Sequence, residues 1–221
     1  MKATRAPKPP QRRAGARAAA AEATRDAILR SATKVFARYG YDGATVEKIS
    51  RAAKSVDRMI YYYFGSKEGL FIAVLEGIYQ RMDDAERALE LDETKPLAAL
   101  EQLIRFVIGY YRAHPEFVTL LNSENLHQGR HIAKSRRARE YSSQAVTLID
   151  RLLQAGVASG DVRPGVDAGQ LYLLIAAAGY FHMSNRYTLS AFLGQRIDTP
   201  DAVESWERFV IDSVLRSIRV R

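Results

Sequence analysis

Apolar residues return along this chain at intervals of three and four, and no alternating run bounded by turn residues competes with that rhythm. The spacing predicts an all-α fold. Ile28, Ala32, Val35, Phe36 and Tyr39 form one face of a first helix over about residues 24–39, which ends at Gly40, a residue able to take a left-handed position. A second helix follows Thr45, whose hydroxyl can accept from an orphan N–H of the first turn, with Val46, Ile49 and Ala52 or Ala53 inward. Ser55 is placed to cap a third helix in the same way, anchored by Ile60 and Phe64. Ser66 opens a fourth over about residues 67–89, with Leu70, Val74, Leu75, Ile78 and Met82 as its buried stripe.

From Pro96 the pattern reads as a second helical domain. One helix runs to Ala113 with Leu100, Leu103, Ile104, Val107 and Tyr111 inward, and a short one follows Pro115. A long helix is expected near residues 131–158, then two more at about 167–190 and 201–219. Pro115, Gly160-Asp161, Pro164-Gly165 and Pro200 mark the breaks. The expected division is a disordered basic arm over residues 1–20, a three-helix domain over 21–68, and a larger helical domain over 69–221. The fourth helix joins the last two.

The third helix carries the chemistry. Opposite Ile60 and Phe64, it sets Arg58, Tyr61 and Tyr62 three and four residues apart, so one guanidinium and two phenols point together away from the core. Arginine can grip guanine O6 and N7 bidentately, and tyrosine hydroxyls reach phosphate oxygens. Two short helices with that outward face read as a DNA-binding helix-turn-helix.

Phe36, Gly40 and Tyr41, then Thr45, the run Ile60 to Phe64, and Ser66-Lys67-Glu68 with Leu70 resemble the N-terminal domain of TetR-family transcriptional repressors, over roughly residues 24–80. The resemblance implies that Thr45 and Val46 start the supporting helix near the DNA backbone. It further implies that Ser55, Val56, Asp57, Arg58 and Met59, with Tyr61, Tyr62 and Tyr63, face double-stranded operator DNA, and that Lys67 touches phosphate. Two positions depart from the family pattern. Lys54 stands where a turn glycine is usual and must take a positive φ at some cost or turn differently. Asp57 can accept from a cytosine amino group or cap its helix.

Composition narrows the setting. The chain has 221 residues, 47% of them hydrophobic, which suffices for one good core or two smaller ones. It lacks an 18-residue apolar run, so no membrane span is expected. Cysteine is absent, which removes disulfides and thiolate sites and fits a reducing, cytoplasmic setting. Lys2, Arg5, Lys8, Arg12, Arg13 and Arg17, with no acid among the first 20 residues, supply six of the eight net positive charges. Such an arm suits a DNA backbone or minor groove, or is a solvated tail.

The last two helices hold small residues, Ile175-Ala176-Ala177-Ala178-Gly179, and an apolar row of Val203, Trp206, Val210 and Val214. Such surfaces suit a helix-helix interface and an intrachain core equally. The resemblance implies a homodimer, with Ala177, Ala178, Trp206, Val210 and Val214 in a four-helix interface and two reading helices addressing a near-palindromic operator. It also implies a pocket for a small-molecule effector between the middle helices. Tyr110, Phe117, Asn125, Tyr141, Phe181 and Asn185 are the expected lining, against the alternative of an ordinary core.

No phosphate loop, activated-serine elbow or paired carboxylates in an apolar setting appears, so no enzyme and no cofactor is expected. His127 and His131 have a metal-ligand spacing on a helix, but Gly129 interrupts it and no third ligand stands beside them. The sequence therefore predicts a sequence-specific transcriptional repressor released by a ligand. A non-specific structural DNA-binding protein is the alternative, distinguished by salt sensitivity equal on every sequence.

Overall fold

In the computed structural model the described residues are 11–220, apart from the side chains of 11–14, 16 and 138–143. Helix α1 spans Gln11–Gly43, so it starts well before the expected residue 24. Residues 15–23 are exposed where described. Their helicity comes from alanine, the strongest helix former, and not from burial. The basic arm is thus helical from residue 11, and residues 1–10 of it lie outside the described residues. The chain folds as two compact units, one ending at Val74 and one beginning at Leu75, six residues beyond the expected boundary.

The first unit is built on Ile28, Ala32 and Phe36 of α1, all fully buried with Ile49, Ile60, Leu70 and Phe71. The Phe71 ring meets Phe36 edge-on at 4.8 Å and Tyr41 at 5.0 Å. Gly40 kinks α1 with φ 68° and ψ 178°, a mirror-β backbone and not the left-handed helical one. Tyr39, expected on the buried face, is exposed instead, and the Lys48 ammonium lies 4.5 Å over its ring.

Helix α2 (Val46–Ala52) is capped as expected, with the Lys48 N–H donating to the Thr45 hydroxyl at 3.2 Å. Lys54 takes φ 51°, a strained position for a side chain with a Cβ. Helix α3 spans Asp57–Phe64. A tight turn then leads into α4 (Lys67–Arg87), whose first turn is capped by Ser66 accepting from the Gly69 N–H at 2.9 Å. A Cβ on Gly69 would stand 2.1 Å from the Phe64 carbonyl oxygen, so that turn requires glycine.

In the second unit, α5 (Pro96–Ala113) packs against α6 (Pro115–Leu126), α7 (Ala138–Ser159), α8 (Ala168–Ser184) and α10 (Pro200–Ile218). Helix α9 (Arg186–Leu193) connects the last two. The core gathers Leu100, Leu103, Ile104, Ile108, Leu152 and Ile175. The helix expected near 131–158 starts late: Gln128 and Gly129 before it take positive φ, a short 3-10 turn covers Ile132–Lys134, and α7 begins only at Ala138. Glu124 holds this stretch: its Oε1 accepts the backbone N–H groups of His131 and Ile132 and its Oε2 lies 2.7 Å from His131 Nδ1.

The helix expected over 167–190 also splits, at Asn185, whose side-chain amide donates to the Phe181 carbonyl and ends α8. Met82, expected in the α4 stripe, is only half-buried, while Asp83 and Glu86 are buried. Among the described residues no helix is long and apolar enough to cross a membrane.

Candidate DNA-reading helix and effector cavity

Helix α3 turns Ile60 fully inward and leaves Arg58, Tyr61 and Tyr62 in solvent, with Tyr61 53% and Tyr62 76% exposed. The three outward side chains therefore share one face. Tyr63 is half-buried and its ring stands edge-on to Tyr62 at 5.0 Å, so it supports that face as packing. Val56 is exposed and Met59 half-buried.

Ser55 does not cap α3. The N-cap is Val56, without a side-chain bond, because Ser55 is drawn into the turn, where its N–H donates to the Ser50 carbonyl. Asp57 sits in the first turn of α3 and accepts from the Ser50 hydroxyl at 2.5 Å. Its charge there favours the positive helix start. Of the two roles open to Asp57, the geometry engages it within the protein.

Thr45 and Val46 stand at the start of α2, Thr45 exposed with its hydroxyl engaged as the cap. The Lys67 ammonium lies 4.5 Å over the Tyr41 ring, and burial lowers its pKa, with Asp42 opposing. Among the basic groups of this unit, Arg51 is neutralised by Glu47 at 2.7 Å.

A cavity of about 520 Å³ opens in the second unit among α4, α5, α6 and α8. Tyr79, Asp83 and Glu86 come from α4, Tyr111 from α5, Phe117 and Asn125 from α6, and Tyr172 and Tyr180 from α8. The aromatic walls hold one another: Tyr79 meets Phe117 at 5.5 Å, and Tyr111 meets Tyr180 at 6.3 Å, both edge-on. Gly179 admits Tyr111, since a Cβ there would come within 2.9 Å of the ring. The small-residue run of α8 thus serves intrachain packing at this point.

Burial governs the electrostatics. It pushes the Tyr79 phenol up to about 12 and raises Tyr111 and Tyr172 as well, with neighbouring groups adding to each. It raises Asp83, with Arg87 opposing, and pushes Glu86 up to about 7, with Asp83 adding and Arg87 opposing.

Of the expected lining, only Phe117 and Asn125 border this cavity among the described side chains. Tyr110 is buried against His114 and Phe117, at 4.2 and 5.8 Å. Asn185 is engaged as the end of α8, and Phe181 is exposed over a different hollow of about 620 Å³ with His182 and Trp206. The Tyr141 side chain lies outside the described residues. The expected lining left out Tyr79, Asp83, Glu86, Tyr111, Tyr172 and Tyr180. A signal existed for Glu86, which continues the α4 stripe four residues beyond Met82 and eight beyond Ile78.

The expected interface residues divide in two. Val210 and Val214 are 4% and 3% exposed, inside the chain's own core, so they do not belong to an outer face. Trp206 is half-buried, its indole N–H donating to the Ala178 carbonyl at 3.2 Å and its ring stacked on His182. Among the described residues of α8 and α10, the large apolar side chains that reach solvent are Leu173, Leu174 and Phe181 on α8 and Phe209 on α10, with Ala177 beside them. Among the described residues the buried His182 Nδ1 has no hydrogen-bond partner, and burial lowers the pKa of His182.

A family model described as bacterial regulatory proteins, tetR family, matches residues 28–74, and another described as tetracyclin repressor-like, C-terminal domain, matches residues 96–214. The chain is 48% identical over 208 residues to the HTH-type transcriptional repressor NicS of Pseudomonas putida, covering 94% of this chain and 98% of that one. With the HTH-type transcriptional regulator RutR of Escherichia coli the identity is 28% over 207 residues, covering 90% and 94%. A TetR transcription regulator from Haloarcula marismortui shares the fold, with a TM-score of 0.68 at 17% identity over 89% of this chain and 98% of that one.

Proposed function

The chain belongs to the TetR family of bacterial regulatory proteins, which makes it a DNA-binding transcriptional regulator, and from that premise we propose a cytoplasmic homodimeric repressor released from its operator by a small molecule. What supports DNA reading most is the shared outward face of Arg58, Tyr61 and Tyr62 over a buried Ile60. A guanidinium reads base edges, and the phenols fix register on phosphates. Two copies would double that short face and match a near-palindromic site. The exposed Leu173, Leu174, Phe181 and Phe209 are the surface on which we place the second copy.

The aromatic cavity is the effector site in this reading. An effector lowers DNA affinity only by binding better to a dimer whose reading helices are wrongly spaced. Helix α4 is the element for that coupling, because it gives Leu70 to the reader core and Glu86 to the cavity wall. The test is fluorescence anisotropy on DNA selected by the protein, with and without the low-mass fraction of cell extract. Ligand release predicts that some fraction lowers the affinity, and an affinity that no fraction changes contradicts it.

A further inference from the structure

Glu86 is only 8% exposed, yet among the described residues its carboxyl group makes no hydrogen bond and no ion pair. His182 Nδ1, and no oxygen of Glu86, is the enclosed unpartnered side-chain atom among the described residues, so the Glu86 carboxyl group reaches the cavity space and is open to a donor bound there. The nearest guanidinium does not supply it. Arg87 is divided among Asp83 at 3.2 Å, Asp84 at 3.7 Å and Gln144 at 2.5 Å. No lysine, arginine or histidine lines the cavity among the described residues.

Glu86 shares the cavity wall with the rings of Tyr79, Tyr111, Tyr172 and Tyr180. Tyrosine faces carry negative quadrupole density and attract cations, most strongly where water is excluded. Among the described residues, phosphate or carboxylate ligands would meet two acids and no lining base. The volume, about 520 Å³, is that of an ordinary small-molecule site.

We propose that the cavity takes a small organic cation, a protonated amine or nitrogen heterocycle on an apolar body, whose N–H donates to Glu86 while the tyrosine rings enclose its charge. This rests on the effector reading of the same cavity and names the chemical class of that effector. Glu86 is the primary contact, and Asp83, already held by Arg87, contributes its field.

The test is calorimetry on the full chain with three probes of one shape: 2-phenylethylamine, 2-phenylethanol and 3-phenylpropionate. The amine should bind the wild type at least about tenfold more tightly than either of the others, and Glu86→Gln should reduce its affinity by about tenfold while leaving the alcohol nearly unchanged. Tyr172→Leu should also weaken the amine selectively. Tighter binding of the alcohol or the acid to the wild type overturns the cation assignment and leaves the cavity as an effector site. Equal loss of amine and alcohol in Glu86→Gln also overturns the assignment. Failure of all three probes to bind at millimolar concentration counts against the cavity itself, and the proposal falls with it.

Discussion

The Asp57 carboxylate accepts the Ser50 hydroxyl at 2.5 Å, joining the first turn of α3 to the buried side of α2. That bond fixes the angle at which α3 presents Arg58 and Tyr62. Asp57→Ala should therefore lower stability by about 1.5–3 kcal/mol, as expected for one hydrogen bond to a charged group at a part-buried site. DNA affinity should fall for all sequences alike, measured by urea unfolding beside anisotropy. Unchanged stability with an altered base preference would instead make Asp57 a base reader.

Lys54 holds φ 51° at the turn between α2 and α3. Glycine removes the Cβ clash there, although it also gains entropy in the unfolded chain. The net expectation for Lys54→Gly is a gain of about 0.5–1 kcal/mol. A thermal melt that moves downward would show that the lysine side chain holds the turn in some other way.

Burial pushes the Glu86 carboxyl up to about 7 from an ordinary 4.5. A carboxyl raised in the folded state favours folding while it is protonated. Its contribution is complete below about pH 4.5 and is lost as pH climbs through about 7. Glu86→Gln stays neutral, so its stability relative to the wild type should rise between about pH 5 and 8, by on the order of 2 kcal/mol. Paired urea titrations at the two ends of that window check the sign. A flat difference would mean that Glu86 is solvated like an ordinary surface acid.

Phe209 is exposed on α10, and its neighbour Val210 is buried. Light scattering should therefore find Phe209→Asp folded and monomeric. Val210→Asp should fail by unfolding, since an unpaired charge in the core costs several kcal/mol. A Phe209→Asp protein that remains a dimer moves the interface off this face.

How much of this was legible beforehand follows from what the sequence encodes locally. Thr45 and Ser66 cap as expected, because a cap needs only a hydroxyl and the N–H three residues on. Helix α5 runs from Pro96 to Ala113 as its periodicity predicts. Misreadings arise where longer-range bonds accompany a departure from local preference: Ser55 has no cap role and makes a turn bond with Ser50, and the stretch before Ala138 forms a 3-10 turn bonded to Glu124 instead of joining α7. Val210 and Val214 were misplaced because periodicity shows that a face is apolar without showing what covers it. The cavity was the least legible feature. Its walls come from α4, α5, α6 and α8, and only their packing brings Tyr79, Tyr111, Tyr172 and Tyr180 together.

The most direct test of DNA reading is selection of fragments from a random duplex library by the purified wild type and by Arg58→Ala, at matched folding and moderate salt. The wild type should enrich an inverted repeat, and Arg58→Ala should lose preference at one position in each half-site, with a cost of about 1–3 kcal/mol on the preferred sequence. Identical motifs from the two proteins, or no motif from the wild type, would contradict the assignment of α3 as the reading helix.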